Sequence, residues 1–389
     1  MMILLFLLML TVASWGYWAI AALMTWRFFT RKPEPDPNFR PPVSILKPVR
    51  GLDYQAYLNF LTFCQQDYPE FEILFGVDDP NDPAVPIIQR LQREFPDLSI
   101  RLIVAPPLGT NRKASILDAL AAQASYDILV ISDSDVRVRP DYLRRVVAPL
   151  HDPAVGLVTC PYRGILPMTL TARLELLYML TTFLPSVMVA RRVLNMRFAL
   201  GATNAIRRAD LERLGGFASF ADYLADDFQL GLRVARMGLR VHLSDYVAEI
   251  SIGATTFEEQ WDREIRWIHC TRVSRPTEYT GLLLCFSTPL AVLVWIVSGF
   301  STLGWLVLGA SLALRWAVAW VVSVVIEDLS VHRHLIWLPV RDMLTALIWL
   351  AGLIGRRVSW RGDWFVLDSE GRLKPAPQNA SVLERWLRL

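Results

Sequence analysis

The chain is poor in the residues that build metal cages and redox centres, with 4 cysteines and 5 histidines among 389 residues. Cys64, Cys160, Cys270 and Cys285 stand far apart with no CxxC spacing, which argues against a zinc ribbon or a disulfide scaffold. Of the histidines, only His332 and His334 are close neighbours, and in a basic stretch between apolar segments they read as solvated loop residues. Charge is scarce too. Charged residues make up 20 % of the chain, and 40 basic against 37 acidic side chains leave a net +3, too balanced for a nucleic-acid partner. Neither GxGxxG nor GxxxxGK[ST] occurs, which lowers dinucleotide and phosphate-loop readings.

Apolar residues, at 53 %, are what the chain has in excess. The uncharged run 2–24 can cross about 30 Å of hydrocarbon as a helix. Arg27, Arg31 and Lys32 follow at once, which puts the N-terminus outside and the next residues in the cytoplasm. No small-residue cleavage site follows the run, so it reads as a retained anchor. Residues 1–32 are thus an anchor with a basic flank, and 33–42 a proline-rich linker. Residues 43–279 have the texture of a soluble domain, 280–355 hold further membrane or interfacial helices, and 356–389 form a basic tail.

Within 280–355, residues 281–300 and 303–326 read as spans. Arg341 and Asp342 interrupt 337–354, which is read as interfacial or re-entrant in preference to a short third span. Arg315 falls near the middle of the second span. It is either a helix-packing charge or a contact to a headgroup or substrate phosphate. In the tail, Val358-Ser359-Trp360-Arg361-Gly362 reads as an interface anchor. The expectation is a multi-pass membrane protein with the 43–279 domain on the cytoplasmic side. The sequence carries no signal for oligomeric state.

In the soluble part, β-rich runs at 43–46, 71–77, 100–104, 127–131 and 155–159 alternate with helical periodicity at 54–64, 84–95, 113–122 and 140–150. That alternation predicts an α/β fold with a mostly parallel sheet covered on both faces, its ligand beyond the carboxyl ends of the strands. Polar residues gather there: Asp78 and Asp79, then Asn111 to Lys113, then Asp133-Ser134-Asp135.

Two carboxylates flanking one residue at a strand exit suit a hard divalent cation, although DxD triplets also occur on solvated turns. Gly201-Ala202-Thr203-Asn204 is either a tight turn or a small-residue site that permits close approach of a ligand. Asp226 and Asp227 open an amphipathic helix, where they favour its dipole or supply a general base. In Arg263-Glu264-Ile265-Arg266-Trp267, two arginines share one helix face and suit a diphosphate; a juxtamembrane girdle is the plainer reading. The uncharged stretch 176–190 is either an interface-lying helix or a buried core helix.

Taken jointly and in order, these clusters, with Val43-Ser44-Ile45-Leu46-Lys47-Pro48 ahead of them, resemble the family-2 glycosyltransferases, most nearly the ceramide glucosyltransferases and their bacterial relatives, including those of hopanoid synthesis. The resemblance covers about 40–280 and implies a GT-A nucleotide-sugar domain with a mostly parallel mixed sheet, plus transmembrane helices. It implies that Asp79 holds the nucleotide base or ribose, with Lys47, Asn111, Lys113 and Asp133 on the nucleotide as well. Asp133 and Asp135 become the Mn2+ or Mg2+ pair, Asp227 the base, and Arg263, Arg266 and Trp267 the clamp on diphosphate and acceptor. Gly201 to Asn204 and Asp226 then border the sugar or acceptor.

Some ceramide-type relatives carry only the first acid of the metal pair; this chain has both. Arg263 stands where many processive relatives have glutamine, and the few spans also favour a single transfer. The implied partners are a UDP-sugar, a membrane lipid hydroxyl and the bilayer. UDP-glucose to ceramide leads, with UDP-N-acetylglucosamine to a hopanoid, UDP-galactose to diacylglycerol, a processive polysaccharide synthase and a non-catalytic nucleotide-sugar scaffold as alternatives.

Overall fold

A computed structural model describes residues 1–31, 38–193 and 195–376. Lys32 of the basic flank, 33–37 of the linker and 377–389 of the tail lie outside the described residues. The strands are β1 (Val43–Pro48), β2 (Phe71–Val77), β3 (Ser99–Val104), β4 (Ile128–Ser132), β5 (Val136–Arg137), β6 (Val155–Thr159), β7 (Tyr162–Pro167), β8 (Thr203–Arg207), β9 (Arg240–Leu243), β10 (Ala248–Gly253), β11 (Arg357–Trp360), β12 (Asp363–Leu367) and β13 (Leu373–Pro375). The α-helices are α1 (Met2–Thr30), α2 (Ala56–Cys64), α3 (Val85–Glu94), α4 (Arg112–Gln123), α5 (Tyr142–Val147), α6 (Leu170–Tyr178), α7 (Leu184–Val193), α8 (Arg208–Arg213), α9 (Asp226–Arg236), α10 (Phe257–Ser274), α11 (Pro276–Gly281), α12 (Ser287–Val297), α13 (Thr302–Val325) and α14 (Leu338–Ala351).

The main sheet runs β3-β2-β1-β4-β8-β6-β9. β1 is parallel to β2 and β4, β2 to β3, and β6 to β9, while β8 is antiparallel to both its neighbours. β1 and β4 are buried at every position, as the inner strands of a sheet covered on both faces are. Chain order reverses at these two strands: β2 and β3 extend to one side of β1, β4 lies on the other. A crevice therefore opens beyond their carboxyl ends, the place where such sheets bind ligands. Close packing of α9 sharpens the crevice. A Cβ on Gly231 would stand 2.4 Å from the backbone nitrogen of Ala199, so only glycine lets α9 lie this near residues 198–199.

Apolar side chains are exposed along α1 (Phe6, Met9), α13 (Trp305, Leu306) and α14 (Leu347, Leu350), the surface of a membrane-associated protein. Helices long and apolar enough to cross a bilayer are Met2–Thr30, Leu170–Val193, Thr302–Val325 and Leu329–Ala351. Two expectations are corrected and one open choice is decided. Residues 281–300 are not one straight span, because the helical path bends by 62° between Pro276–Cys285 and Ser287–Val297. Segment 170–193 is mostly buried and packs with α1 around Trp18 and Leu176, which settles 176–190 as core. His332 does not stand in water; its ring stacks on Trp320 at 4.0 Å and its Nε2 lies 2.6 Å from Ser323 Oγ.

Arg315 is a packing charge. It reaches Asp342 of α14 through Nε at 2.9 Å and Nη2 at 2.8 Å, and Thr181 O at 3.0 Å, and it lies over the Trp18 ring. Arg341 likewise forks onto Glu264 of α10, at 2.7 and 2.5 Å. The charges that interrupt the 337–354 run thus face the protein, each satisfied by a bidentate partner.

Candidate active site

Asp133 follows β4 and takes its backbone hydrogen bond from N–H to Ala202 O at 3.2 Å, which ties the acidic loop to the turn ahead of β8. Lys113, in the first turn of α4, carries its Nζ to 2.5 Å from Asp133 Oδ1 and 3.9 Å from Asp226 Oδ2. Burial works against the Lys113 ammonium, but Asp133, Asp226 and Asp227 outweigh it and raise its pKa. Asp227 Oδ1 accepts the N–H of Phe228 at 2.7 Å. A Cβ built on Gly201 would stand 3.2 Å from Asp227 Oδ2 and 4.0 Å from Asp133 Oδ2, so acids from β4 and α9 meet at one bare backbone. Burial, then the neighbouring Asp226, pushes the Asp227 carboxyl up to about 6.

Asp135 stands on the same loop. Its Oδ1 is buried with no hydrogen-bond partner, and burial with Asp53 and Asp133 nearby pushes its carboxyl up to about 7. Ser134 Oγ donates to Asp53 Oδ2, which brings in an acid from the loop after β1.

Across the crevice lies α10, started by a capping box of Thr256 and Glu259. Arg263 pairs with buried Glu175 of α6. Arg266 donates to Ser359 O at 3.0 Å, and burial plus the cations of Arg263 and Arg361 lower its pKa to about 10. Trp267 stacks near Tyr178 at 6.3 Å, on the apolar side of the helix.

Four residues, Lys47, Asn111, Thr203 and Asn204, sit elsewhere than the resemblance implied. Lys47 is fully buried beneath the loop, its Nζ on Asp133 O at 2.8 Å and 3.6 Å over the Phe63 ring; it holds the loop from below and does not face a nucleotide. Asn111 is also buried, capping α4 through Ala114 N–H at 3.0 Å and donating to Tyr223 O at 2.7 Å. Thr203 and Asn204 lie inside β8, where Asn204 Nδ2 donates to Leu200 O at 2.9 Å; only Gly201, with Ala202 behind it, borders the acids. Asp79 is exposed at the end of β2, its Oδ1 accepting Asn81 N–H at 2.8 Å.

Two residues at the site were missed. Asp53 is one; Arg361 is the other, with Nη2 3.2 Å from Asp53 Oδ1. β11, β12 and β13 form an antiparallel sheet whose Val358, Leu367 and Leu373 pack on Leu224, with Leu373 N–H on Asp222 O at 2.7 Å. The 357–373 segment is thus part of the catalytic unit and not the interface anchor expected from Trp360 and Arg361. The signal was two β-prone runs, 357–360 and 363–367, only two residues apart with Gly362 between them.

A mixed, mostly parallel sheet with acids gathered at its reversal point and an arginine-bearing helix opposite defines a glycosyltransferase with a GT-A type fold. The chain belongs to glycosyl transferase family 21, whose family model matches residues 6–373. It is 24 % identical to ceramide glucosyltransferase 1 of Caenorhabditis elegans over 375 residues, 91 % of this chain and 77 % of that one. Over a shorter stretch of 151 residues it is 32 % identical to the ceramide glucosyltransferase of Komagataella phaffii, covering 38 % of this chain and 29 % of that one. Among solved structures, a mannosyltransferase from Pyrobaculum calidifontis, PcManGT, in complex with GDP-Man and Mn2+, shares the fold with a TM-score of 0.54 at 20 % identity, covering 89 % of this chain and 97 % of that one.

Proposed function

We propose that the chain transfers one glucose from UDP-glucose to a hydroxyl of ceramide, by single displacement with inversion, at the cytoplasmic face of a bacterial inner membrane. The observation that carries the chemistry is the meeting of Asp227 and Asp133 at Gly201. The names of the relatives support the sugar and the lipid.

Asp227 Oδ2, the carboxylate oxygen that faces Gly201, takes the proton from the acceptor hydroxyl as the oxygen attacks the anomeric carbon. Lys113 keeps Asp133 and Asp226 in place, and Arg263 and Arg266 orient the leaving diphosphate and take up its charge. Asp79 sits at the same end of the sheet to meet the nucleoside.

Among the described residues no three His, Cys, Asp or Glu side chains form a ready metal cage. The donor set nonetheless fits a cation shared with phosphate: the buried, unpartnered Oδ1 of Asp135 beside Asp133 is a carboxylate pair of the kind that holds Mn2+ or Mg2+ together with substrate phosphates. A cation held there supplies charge neutralisation for the diphosphate. The lipid approaches over the apolar side of α10, where Trp267 and Tyr178 lie.

The test is a matrix of UDP-glucose, UDP-N-acetylglucosamine and UDP-galactose against ceramide, a hopanoid and diacylglycerol, with purified protein, Mn2+ or Mg2+, and mass detection. Glucosylceramide of β linkage is expected. A product from another pair reassigns the substrates, and an α-linked product from the α-linked donor ends the single-displacement scheme.

A further inference from the structure

We propose that Arg361, at the tip of the β11–β12 hairpin, is a third arginine for the donor diphosphate and exchanges Asp53 for the β-phosphate when the donor binds. The inference rests on the donor reading above.

The turn itself gives the first reason. Trp360 pairs with Asp363, so Arg361 and Gly362 alone make the turn, at φ 51° and 88°. Such two-residue turns favour Gly, which has no Cβ to crowd the backbone, and Asn, whose short polar side chain hydrogen-bonds locally. Glycine fills the second position; the first carries an arginine whose conformation is unfavourable for the backbone. Strain held in a turn points to a use for the side chain.

Position gives the second. The tip is clipped to the loop after β1 by two reciprocal pairs, Arg361 to Asp53 at 3.2 Å and Arg50 to Asp363 at 3.1 Å. Arg361 remains 44 % exposed, so its bond to Asp53 is weakly held against water and readily exchanged for a more highly charged anion. Asp53 also accepts from Ser134, inside the acidic loop, and keeps that partner when Arg361 leaves. On the other flank Arg266 donates to Ser359 O and lies 5.8 Å from the Trp360 ring. The tip therefore bridges the acids and the arginine helix, the gap a diphosphate has to fill to meet both.

Anchorage gives the third. The hairpin is rooted by Leu224 N–H on Gly371 O at 3.2 Å and by the cluster of Leu224, Val358, Leu367 and Leu373, a few residues ahead of Asp226 and Asp227. A firmly held base with a weakly clipped tip suits a group that shifts onto a ligand.

Arg361→Gly removes the guanidinium while relieving the turn, so the thermal midpoint of the full chain should not fall below wild type. Calorimetric titration with UDP and with UMP then separates the β-phosphate from the rest of the nucleotide. We expect UDP affinity to fall about tenfold or more, as loss of a charge-assisted bond does, UMP affinity to change by less than about threefold, and Arg361→Lys to lie between. Unchanged UDP affinity, or parallel losses for UDP and UMP, would overturn the proposal while leaving the donor reading intact. If wild-type protein itself binds no UDP, the donor reading falls and the proposal with it.

Discussion

At the scale of single residues, the site is organised by carboxylates tied together through common partners, Lys113 between Asp133 and Asp226. Asp227 is pushed up to about 6 by burial and by Asp226, yet the base role proposed for it requires the ionised form. Lowering pH through that value protonates it, so kcat should fall about tenfold per pH unit below 6 and level off above it. Asp227→Asn should cut turnover by about 10²–10⁴ while UDP binding, read by calorimetry, persists. Unchanged lipid-dependent function in that variant would favour the scaffold reading. The acids were legible because carboxylates at strand ends are scarce and meaningful in so apolar a chain. Lys47 and Asn111 were legible as site neighbours but not as supports. A lysine in a motif reads as a phosphate ligand, and nothing in its own sequence neighbourhood says that Phe63 and the Asp133 carbonyl enclose it.

At the scale of elements, the expected parallel strands at 71–77 and 155–159 match β2 and β6, since continuous apolar runs between turns leave little choice. β8 was hidden. Its residues Thr203 to Arg207 mix polar and apolar types, with Thr203 and Asn204 in the run offered as a tight turn, and the pairing with Ile128 to Ser132 that makes them a strand is long-range. Helix α9 depends on Gly231, and Gly231→Ala should displace its N-terminal half, lowering both the thermal midpoint and kcat. Helix α10 depends on a charge from far along the chain. Because Arg341 and Glu264 are buried together, Arg341→Met alone should cost about 3–5 kcal/mol by stranding Glu264, whereas Arg341→Met with Glu264→Leu should recover most of it. Thermal unfolding of the two variants in detergent checks this; equal losses would mean the pair contributes nothing beyond its volume.

At the scale of the whole molecule, the bend at residue 286 has a geometric consequence for how the chain crosses the bilayer. α12 has 11 residues and is about 16 Å long, half of a 30 Å hydrocarbon core. It begins beside the middle of α1, where Ser14 donates to Leu284 O and Trp18 to Cys285 O. Its far end packs with Val307 of α13 against Leu4 and Leu7, near the start of α1. α12 by itself is therefore too short to complete a crossing. α13 returns, and α14 turns back along α10, where Arg341 meets Glu264 and Gly352 lies against Ile268. With β11 to β13 docked on the catalytic domain, the 357–376 segment shares its side. Sequence parity alone left that choice open, because it turns on whether 337–354 crosses. Single cysteines at Asp97, Ser369 and Phe300, labelled with an impermeant maleimide in sealed vesicles of known orientation, should report Asp97 and Ser369 from one side and Phe300 from the other. Labelling of Ser369 from the side of Phe300 would show that α14 crosses the membrane and would detach the hairpin, and Arg361 with it, from the active site.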